Sequence, residues 1–210
     1  MVLAIPGSLF GSSIFENSPE DGQTLYSAGN KNIPGYISGT VKTATLTCGT
    51  GLNIAGGGYD WNNPSDITSS DNIRSSARVD TAASGAQWFF CKLVYDGATI
   101  GDQKAQTGLI PVAEATETIG GENELWGVQL TRAMVNSPTF GVYSRYQNDN
   151  TPAETTDSIS ATNFGFTIPQ ASIIVGVAVH NEHYYISGAP SYVYIDSVQM
   201  TIHYIENIIS

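Results

Sequence analysis

One group of side chains has the composition of a cation site. Asp60, Asn62, Asn63, Asp66 and Asp71 place five oxygen-bearing side chains within twelve residues, and Ca²⁺ prefers oxygen ligands. Their spacing matches no EF-hand loop, and Asn and Asp are also the ordinary residues of turns. Two interpretations follow, a calcium loop around Asp60, Asp66 and Asp71 or plain turn chemistry, and the residue types favour the turn.

Two histidines and a glutamate form a second group, His180, Glu182 and His183. In a strand, His180 and Glu182 share one face of the sheet and His183 points to the other. Two ligands on one face need further partners to hold a metal. We therefore expect a surface pair rather than a metal site.

Cys48 and Cys91 are the two cysteines of the chain, and each lies on a separate predicted strand. The sequence has no Cys-x-x-Cys pair and no Cys/His cluster of the kind that binds zinc. A disulfide is one alternative. Two free, buried thiols that pack as small apolar groups are the favoured interpretation.

Glu122 and Glu124 are the candidates for catalysis, because paired carboxylates hydrolyse glycosides. No other feature supports them. The sequence contains no Gly-x-Ser-x-Gly elbow, phosphate-binding loop or dinucleotide fingerprint. We therefore predict a protein that is not an enzyme and that carries no cofactor.

Tyrosine is abundant, with 11 in the chain, and several lie near its end. Exposed tyrosines on a sheet stack on sugar rings or anchor protein interfaces. Individual rings can equally pack inward. As a group they predict an interface, formed by Tyr184, Tyr185, Tyr192 and Tyr194.

The elements that position these side chains are β-strands. From 173 to 205 the sequence predicts two long strands joined by a tight turn. In the second strand, apolar Val198, Met200, Ile202 and Tyr204 alternate with polar residues, which places one face in the core and the other in water.

The rest of the chain predicts further strands and little helix. We expect an all-β, jelly-roll-like β-sandwich over residues 36–210. Trp126 and Phe164, each beside a glycine, are expected to anchor its core. The other predicted strands are 36–48, 73–80, 86–96 (ending in a hairpin turn at Asp96-Gly97), 110–118, 122–131, 137–146 and 161–169, with one helical turn around 130–136 and a polar loop at 148–158.

Residues 1–35 are interrupted by prolines and glycines, which disfavour regular structure. Their apolar content nevertheless predicts an extended N-terminal arm that lies on another protein's surface or on its own domain. The segment lacks the basic region of a signal peptide, so we expect synthesis in a cytoplasm. The arm residues predicted to form an interface are Leu3, Ile5, Leu9, Phe10, Ile14 and Phe15.

The net charge is −11, from 19 acidic and 8 basic residues. This balance disfavours binding to nucleic acid or to an anionic membrane, because both require clustered Lys and Arg. A partner with basic patches is compatible with it. The 13% share of charged residues, together with many Ser, Thr and Asn, is typical of extracellular or virion β-proteins.

Several segments resemble a β-sandwich domain of phage virion structural proteins. They are ENELWGVQLT, PTFGVYSRY, TNFGFTIPQASIIVGVAV and YIDSVQMTIHYIE, joined by KLVYDGATIGDQKA and WNNPSDITSSDN, and together they span about residues 59–205. The order departs from the family pattern, in which the NFGF-x-IP segment precedes the hairpin. Here this segment follows the FGV strand of PTFGVYSRY, and a permuted sandwich would explain the difference.

The resemblance implies a non-enzymatic virion protein that is assembled in the host cytoplasm. The leading expectation is a capsid decoration or cement protein whose partners are major capsid or tail proteins and further copies of itself, with a trimer favoured. One alternative is a tail or fibre module that binds host-surface glycans, and another is a bacterial carbohydrate-binding module. Fold alone does not choose among them.

Deletion of residues 1–30 is expected to leave the sandwich folded, because the arm has few strand signals, and to abolish attachment to the virion. Circular dichroism and urea unfolding measure the first outcome, and cosedimentation with virions measures the second. A truncated chain that fails to fold would mean that the arm supplies a core strand.

Overall fold

Eleven strands, one short α-helix and one 3₁₀-helix make up the described part of the chain. The computed structural model describes residues 40–80, 85–149, 153–188 and 190–206. The arm 1–35 and its predicted interface residues lie outside this part. The elements are β1 (Val41–Thr47), β2 (Thr50–Ile54), β3 (Trp61–Asn62), the 3₁₀-helix (Pro64–Ile67), β4 (Ser75–Asp80), β5 (Ala86–Tyr95), β6 (Ala98–Lys104), β7 (Ala115–Gly121), α1 (Arg132–Val135), β8 (Gly141–Asn148), β9 (Ser158–Thr162), β10 (Ser172–Ile186) and β11 (Ser191–Glu206).

The strands form two antiparallel sheets whose inner faces enclose the core. The larger sheet has the order β3-β4-β11-β10-β7, and β1 also pairs with β11. The smaller sheet has the order β2-β9-β8-β5-β6. The prediction of an all-β sandwich is confirmed.

The C-terminal hairpin is the longest pairing of the fold and confirms the two predicted long strands. β10 pairs with β11 from Ser172 opposite Glu206 to Ile186 opposite Tyr192. A bulge interrupts the alternation of β11, so that odd-numbered residues face inward before it and even-numbered residues face inward after it. At this bulge Glu182 lies opposite Ser197 and His183 lies opposite Ile195. Asp196 is therefore the extra residue of β11.

Two of the predicted strands are not strands. Residues 122–131 form turns, and Trp126 has a φ of 58°. Residues 163–169 are irregular, because Asn163 and Gly165 adopt φ values of 56° and 74° and β9 ends at Thr162. Positive φ values depart from the extended backbone of a regular strand, and neither segment pairs with a described strand.

Local turn chemistry at two other places agrees with the sequence. Asp96 and Gly97 both have positive φ, 50° and 76°, and join Tyr95 to Ala98 in a two-residue hairpin turn. The predicted helical turn is α1, which Thr131 caps by accepting a hydrogen bond from the Met134 amide.

Trp126 holds together the side of the sandwich where β6 and β7 form the sheet edges. Its side chain is fully buried, and its indole Nε1 donates to the Val177 carbonyl of β10 at 3.0 Å. Its own carbonyl accepts from the Asp102 amide of β6 at 2.6 Å. Gly101 has a positive φ, and a Cβ there would lie 2.2 Å from the Trp126 oxygen. Trp126 therefore links the two sheets.

The predicted core anchors and free thiols are confirmed. Phe164 is buried, and its ring stacks on Phe166 with centroids 5.7 Å apart. Cys48 and Cys91 are free and buried. Burial raises the pKa of the Cys48 thiol to about 12, so it remains protonated at neutral pH.

Trp126→Ala is expected to lower the free energy of unfolding by roughly 3–5 kcal/mol, because it removes a fully buried ring. Trp126→Phe keeps a ring but loses the hydrogen bond to Val177, so its free energy of unfolding should lie between those of the wild type and Trp126→Ala. Urea unfolding measures both. Val112→Ala is the control, since Val112 is 75% exposed, and a Trp126→Ala midpoint equal to that of the control would contradict the assignment.

Candidate binding face on the larger sheet

Three tyrosines form an aromatic surface on the outer face of the larger sheet. Tyr184 of β10 lies directly opposite Tyr194 of β11, and their rings stack with centroids 4.9 Å apart at an interplanar angle of 9°. Tyr192 follows at 6.1 Å from Tyr194. All three side chains are partly exposed. We call Tyr184, Tyr192 and Tyr194 the tyrosine face.

Tyr185 does not belong to this surface, and its prediction as an interface residue is wrong. It is 1% exposed and lies in the core, because successive residues of a strand point to opposite faces of the sheet. Its amide donates to the Pro111 carbonyl at 2.9 Å.

An arginine and a glutamate hold the tyrosine face in place. Arg74 donates from Nε and Nη2 to the two carboxylate oxygens of Glu114, each at 2.9 Å. The guanidinium carbon lies 5.3 Å from the centre of the Tyr184 ring, which is a cation–π distance. The hydrogen bond raises the pKa of Arg74 and lowers that of Glu114. The aromatic pair is therefore ordered before any ligand binds.

Two further carboxylates lie beside the tyrosine face at the bulge of β11. Glu182 accepts hydrogen bonds from Ser70 Oγ at 2.7 Å and from Ser197 Oγ at 3.0 Å. Asp196 is buried, and its Oδ1 has no hydrogen-bond partner. Burial, followed by the charges of Glu114 and Glu182, raises the pKa of Asp196. The ionised form of Asp196 therefore destabilises the folded state.

A row of hydrogen bonds crosses the same outer face nearer the C-terminus. Thr118 Oγ1 lies 2.8 Å from His180 Nδ1, His180 Nε2 lies 2.8 Å from Thr201 Oγ1, and Thr201 lies 2.7 Å from Thr45. We call these four residues the polar ladder. Burial, followed by the charge of His203, lowers the pKa of His180. His180 and Glu182 share a face, as predicted, but both His180 nitrogens bind threonine.

His183 points the other way, into the core, and sequence reasoning missed its role there. Its Nδ1 lies 2.8 Å from the Tyr146 hydroxyl and its Nε2 lies 2.9 Å from Glu117 Oε2, while Asn181 donates to the same hydroxyl at 2.9 Å. His183 and Tyr146 are fully buried. This network joins β7 and β10 to β8. The sequence signal that could have revealed this network is the polar character of Asn181 and His183, at positions that the alternation of β10 directs inward.

The acidic residues for which the sequence favours turn chemistry over a calcium loop serve separate local structures. Asp60 accepts from Asn53 Nδ2 at 3.0 Å, Asp66 lies in the 3₁₀-helix, and Asp71 accepts from the Ile73 amide at 3.0 Å. Asn63 adopts a φ of 49° before the 3₁₀-helix. Within the described ranges, no group of three or more His, Cys, Asp or Glu could hold a metal ion.

Asp157, which the sequence did not single out, organises the neighbouring glycine run. Its Oδ1 accepts from the amides of Gly56 and Gly58, each at 2.8 Å. Burial alone would raise the pKa of Asp157, but these bonds and one from Asn53 outweigh it and lower the pKa. A Cβ at Gly58 would lie 2.4 Å from Thr156, so the glycine is needed for close approach.

The candidate catalytic pair has unequal surroundings. Glu124 accepts from the Trp126 amide at 2.8 Å and pairs with Lys104 Nζ at 2.9 Å. The bond to Lys104 lowers the pKa of Glu124. Glu122 is exposed. Glu124 therefore supports the Trp126 segment.

No protein-family model, curated protein or solved structure matches the chain. None of the helices in the described residues is long and apolar enough to cross a membrane.

Asp196→Asn is expected to be more stable than the wild type, by a margin that widens as the pH rises from about 4 to about 7. The pKa of Asp196 is raised in the folded state, so the wild type loses stability as the pH rises through its titration, and the asparagine does not titrate. Urea unfolding at a series of pH values measures the margin. Asp66→Asn is the control, and a pH-independent margin for Asp196→Asn would contradict the prediction.

Proposed function

We propose that this protein is a non-enzymatic virion structural protein, a capsid decoration or cement protein, which docks through the tyrosine face. The observation that carries the proposal is Asp196, a buried carboxyl whose Oδ1 has no partner, beside the preordered Tyr184–Tyr194 pair. Ionisable groups with perturbed pKa values cluster at functional sites, and a cationic group of a docked partner would supply the interaction that Oδ1 lacks.

The chemistry of the face favours a protein partner that presents basic residues. Tyrosines are enriched at the centres of interfaces. The pair is already held by Arg74, which reduces the entropy that binding must overcome. The charges of Glu114 and Glu182 act on Asp196, and among the described residues Arg74 is the one cation that acts on it. A Lys or Arg of the partner would therefore complement this acidic patch.

The virion assignment rests on the resemblance of residues 59–205 to phage structural domains. The resembling segments also contribute to the core. The LWG segment contains Trp126, which links the two sheets, and the NFGF segment contains the stacked rings of Phe164 and Phe166. The final segment lies in β11. On this proposal the partners are major capsid or tail proteins and further copies of the chain, and the protein resides in the virion. A trimer stays a prediction from the apolar arm.

A second candidate function is glycan binding by a tail or fibre module. The parallel rings of Tyr184 and Tyr194 favour it, because flat aromatic surfaces stack on sugar rings. Carboxylates beside the rings can accept hydrogen bonds from sugar hydroxyls. A bacterial carbohydrate-binding module would use the same chemistry in a different setting.

The double variant Tyr184→Ala/Tyr194→Ala is expected to weaken virion attachment by at least ~30-fold, which corresponds to ~2 kcal/mol for an aromatic anchor. Purified protein is added to virions whose gene for this chain has been deleted, and bound protein is measured by cosedimentation and mass spectrometry. Tyr143→Ala, on the outer face of the smaller sheet, is the matched control.

Two outcomes would contradict the leading proposal. If the wild-type protein neither occurs in purified virions nor binds the deleted virions, the virion role fails. If a glycan array instead shows binding that the double variant loses, the glycan-binding alternative replaces it.

A further inference from the structure

β1 is an edge strand of the larger sheet with one side unpaired by any described strand. Its other side pairs with β11 from Val41 opposite Ile205 to Thr47 opposite Gln199. The Cys48 amide donates to the Val198 carbonyl at 3.0 Å, toward β11. Because main-chain groups alternate in direction along a strand, Val41, Thr43, Thr45 and Thr47 direct their N–H and C=O groups away from β11, to the open side.

Of the usual protections against pairing with another chain, this edge carries within its described residues only the charged side chain of Lys42. Its register is unbroken, with no bulge, and the strand VKTATLT contains no proline. Its one charged residue is Lys42, which is already paired with Glu206. Natural proteins normally blunt exposed edges with bulges, prolines or inward charges. β1 therefore remains competent to accept a strand.

We propose that β1 pairs antiparallel with β1 of a second copy of this chain, about a two-fold axis at Ala44. The pairing would join the two larger sheets into one continuous sheet. It is a contact between copies and goes beyond docking on the virion through the tyrosine face. It also differs from a trimer built on the arm, and neither contact requires the other.

The strand sequence is complementary to itself in this register. With Ala44 on the axis, Thr43 lies opposite the partner's Thr45, and cross-strand threonine pairs are favourable. Lys42 lies opposite the partner's Leu46, so no like charges meet. Leu46 is 38% exposed, and the aliphatic stem of the partner's Lys42 would cover it.

The polar ladder ends at this edge and supports the same register. It runs from Thr118 of β7 through His180 and Thr201 to Thr45 of β1. In the proposed pair, the partner's Thr43 is the next residue across from Thr45. The hydroxyl row would thus continue into the second copy.

A disulfide at the axis is the test. One strand pair buries less than the ~1,000 Å² of a stable interface, so we expect weak association that a covalent bond can capture. The full-length Ala44→Cys variant is oxidised mildly and analysed by non-reducing electrophoresis. Residues opposite each other in a non-hydrogen-bonded pair have Cα atoms ~4.5 Å apart, within disulfide range. We expect a covalent dimer.

Three controls define the geometry. Leu46→Cys lies opposite Lys42 and cannot pair with itself, Leu52→Cys on β2 is 52% exposed and measures random collision, and the wild type reports on the buried Cys48 and Cys91. Ala44→Cys should give about ten times more covalent dimer than each control. For weak association the yield of dimer follows the association constant, so this difference corresponds to a roughly tenfold higher association constant.

A second variant removes the pairing without removing the thiol. Thr43→Pro in the Ala44→Cys protein deletes an outward N–H that β11 does not use, and it should abolish the dimer at an unchanged melting temperature. Thr43→Val keeps the N–H and should retain the dimer. The proposal is overturned if Ala44→Cys dimerises no better than Leu52→Cys, or if Thr43→Pro leaves the yield unchanged. A monomer in which the outward amides of Thr43, Thr45 and Thr47 are protected from hydrogen exchange would also overturn it, because its own arm would then cover the edge.

Discussion

The antiparallel pairing of β10 with β11 is the constraint on which the rest of the structure depends. β11 is 16 residues long, and β10 occupies one of its edges along the whole pairing. The other edge is shared by β4, then Thr68 of the loop after the 3₁₀-helix, and then β1. The inner face supplies Val198, Met200 and Ile202 to the core. The outer face carries the tyrosine face at one end and the polar ladder at the other.

The bulge at Asp196 connects this architecture to the proposed function. One extra residue in β11 reverses which side chains face inward, so Val193 and Ile195 point to the core on one side of it and Val198 on the other. The reversal keeps both halves of the strand amphipathic and leaves a carboxyl buried beside Tyr184. This buried carboxyl beside an ordered aromatic surface is the observation on which the proposed docking rests.

Sequence patterns predicted the regular parts of the fold and failed where the backbone departs from them. The 173–205 hairpin and the Asp96-Gly97 turn follow from period-two alternation and local turn preferences. Residues 122–131 have strand-forming composition, yet Trp126 takes a positive φ because its indole bonds to β10 while its carbonyl bonds to β6. Contacts between distant segments override local propensity there.

The sequence by itself determined the fold class, the burial of Trp126 and Phe164 and the opposite directions of Glu182 and His183, because each depends on residue type and local periodicity. It favoured two free thiols, and the structure shows them unpaired. Only the tertiary structure decided that Tyr184 and Tyr194 stack, that Asp157 orders the glycine run, and that β1 has an open edge. Each of these depends on which distant segments become neighbours, and the pairing of Tyr184 with Tyr194 also follows the register shift at Asp196. Such pairings are set by long-range contacts, and a local pattern does not encode them.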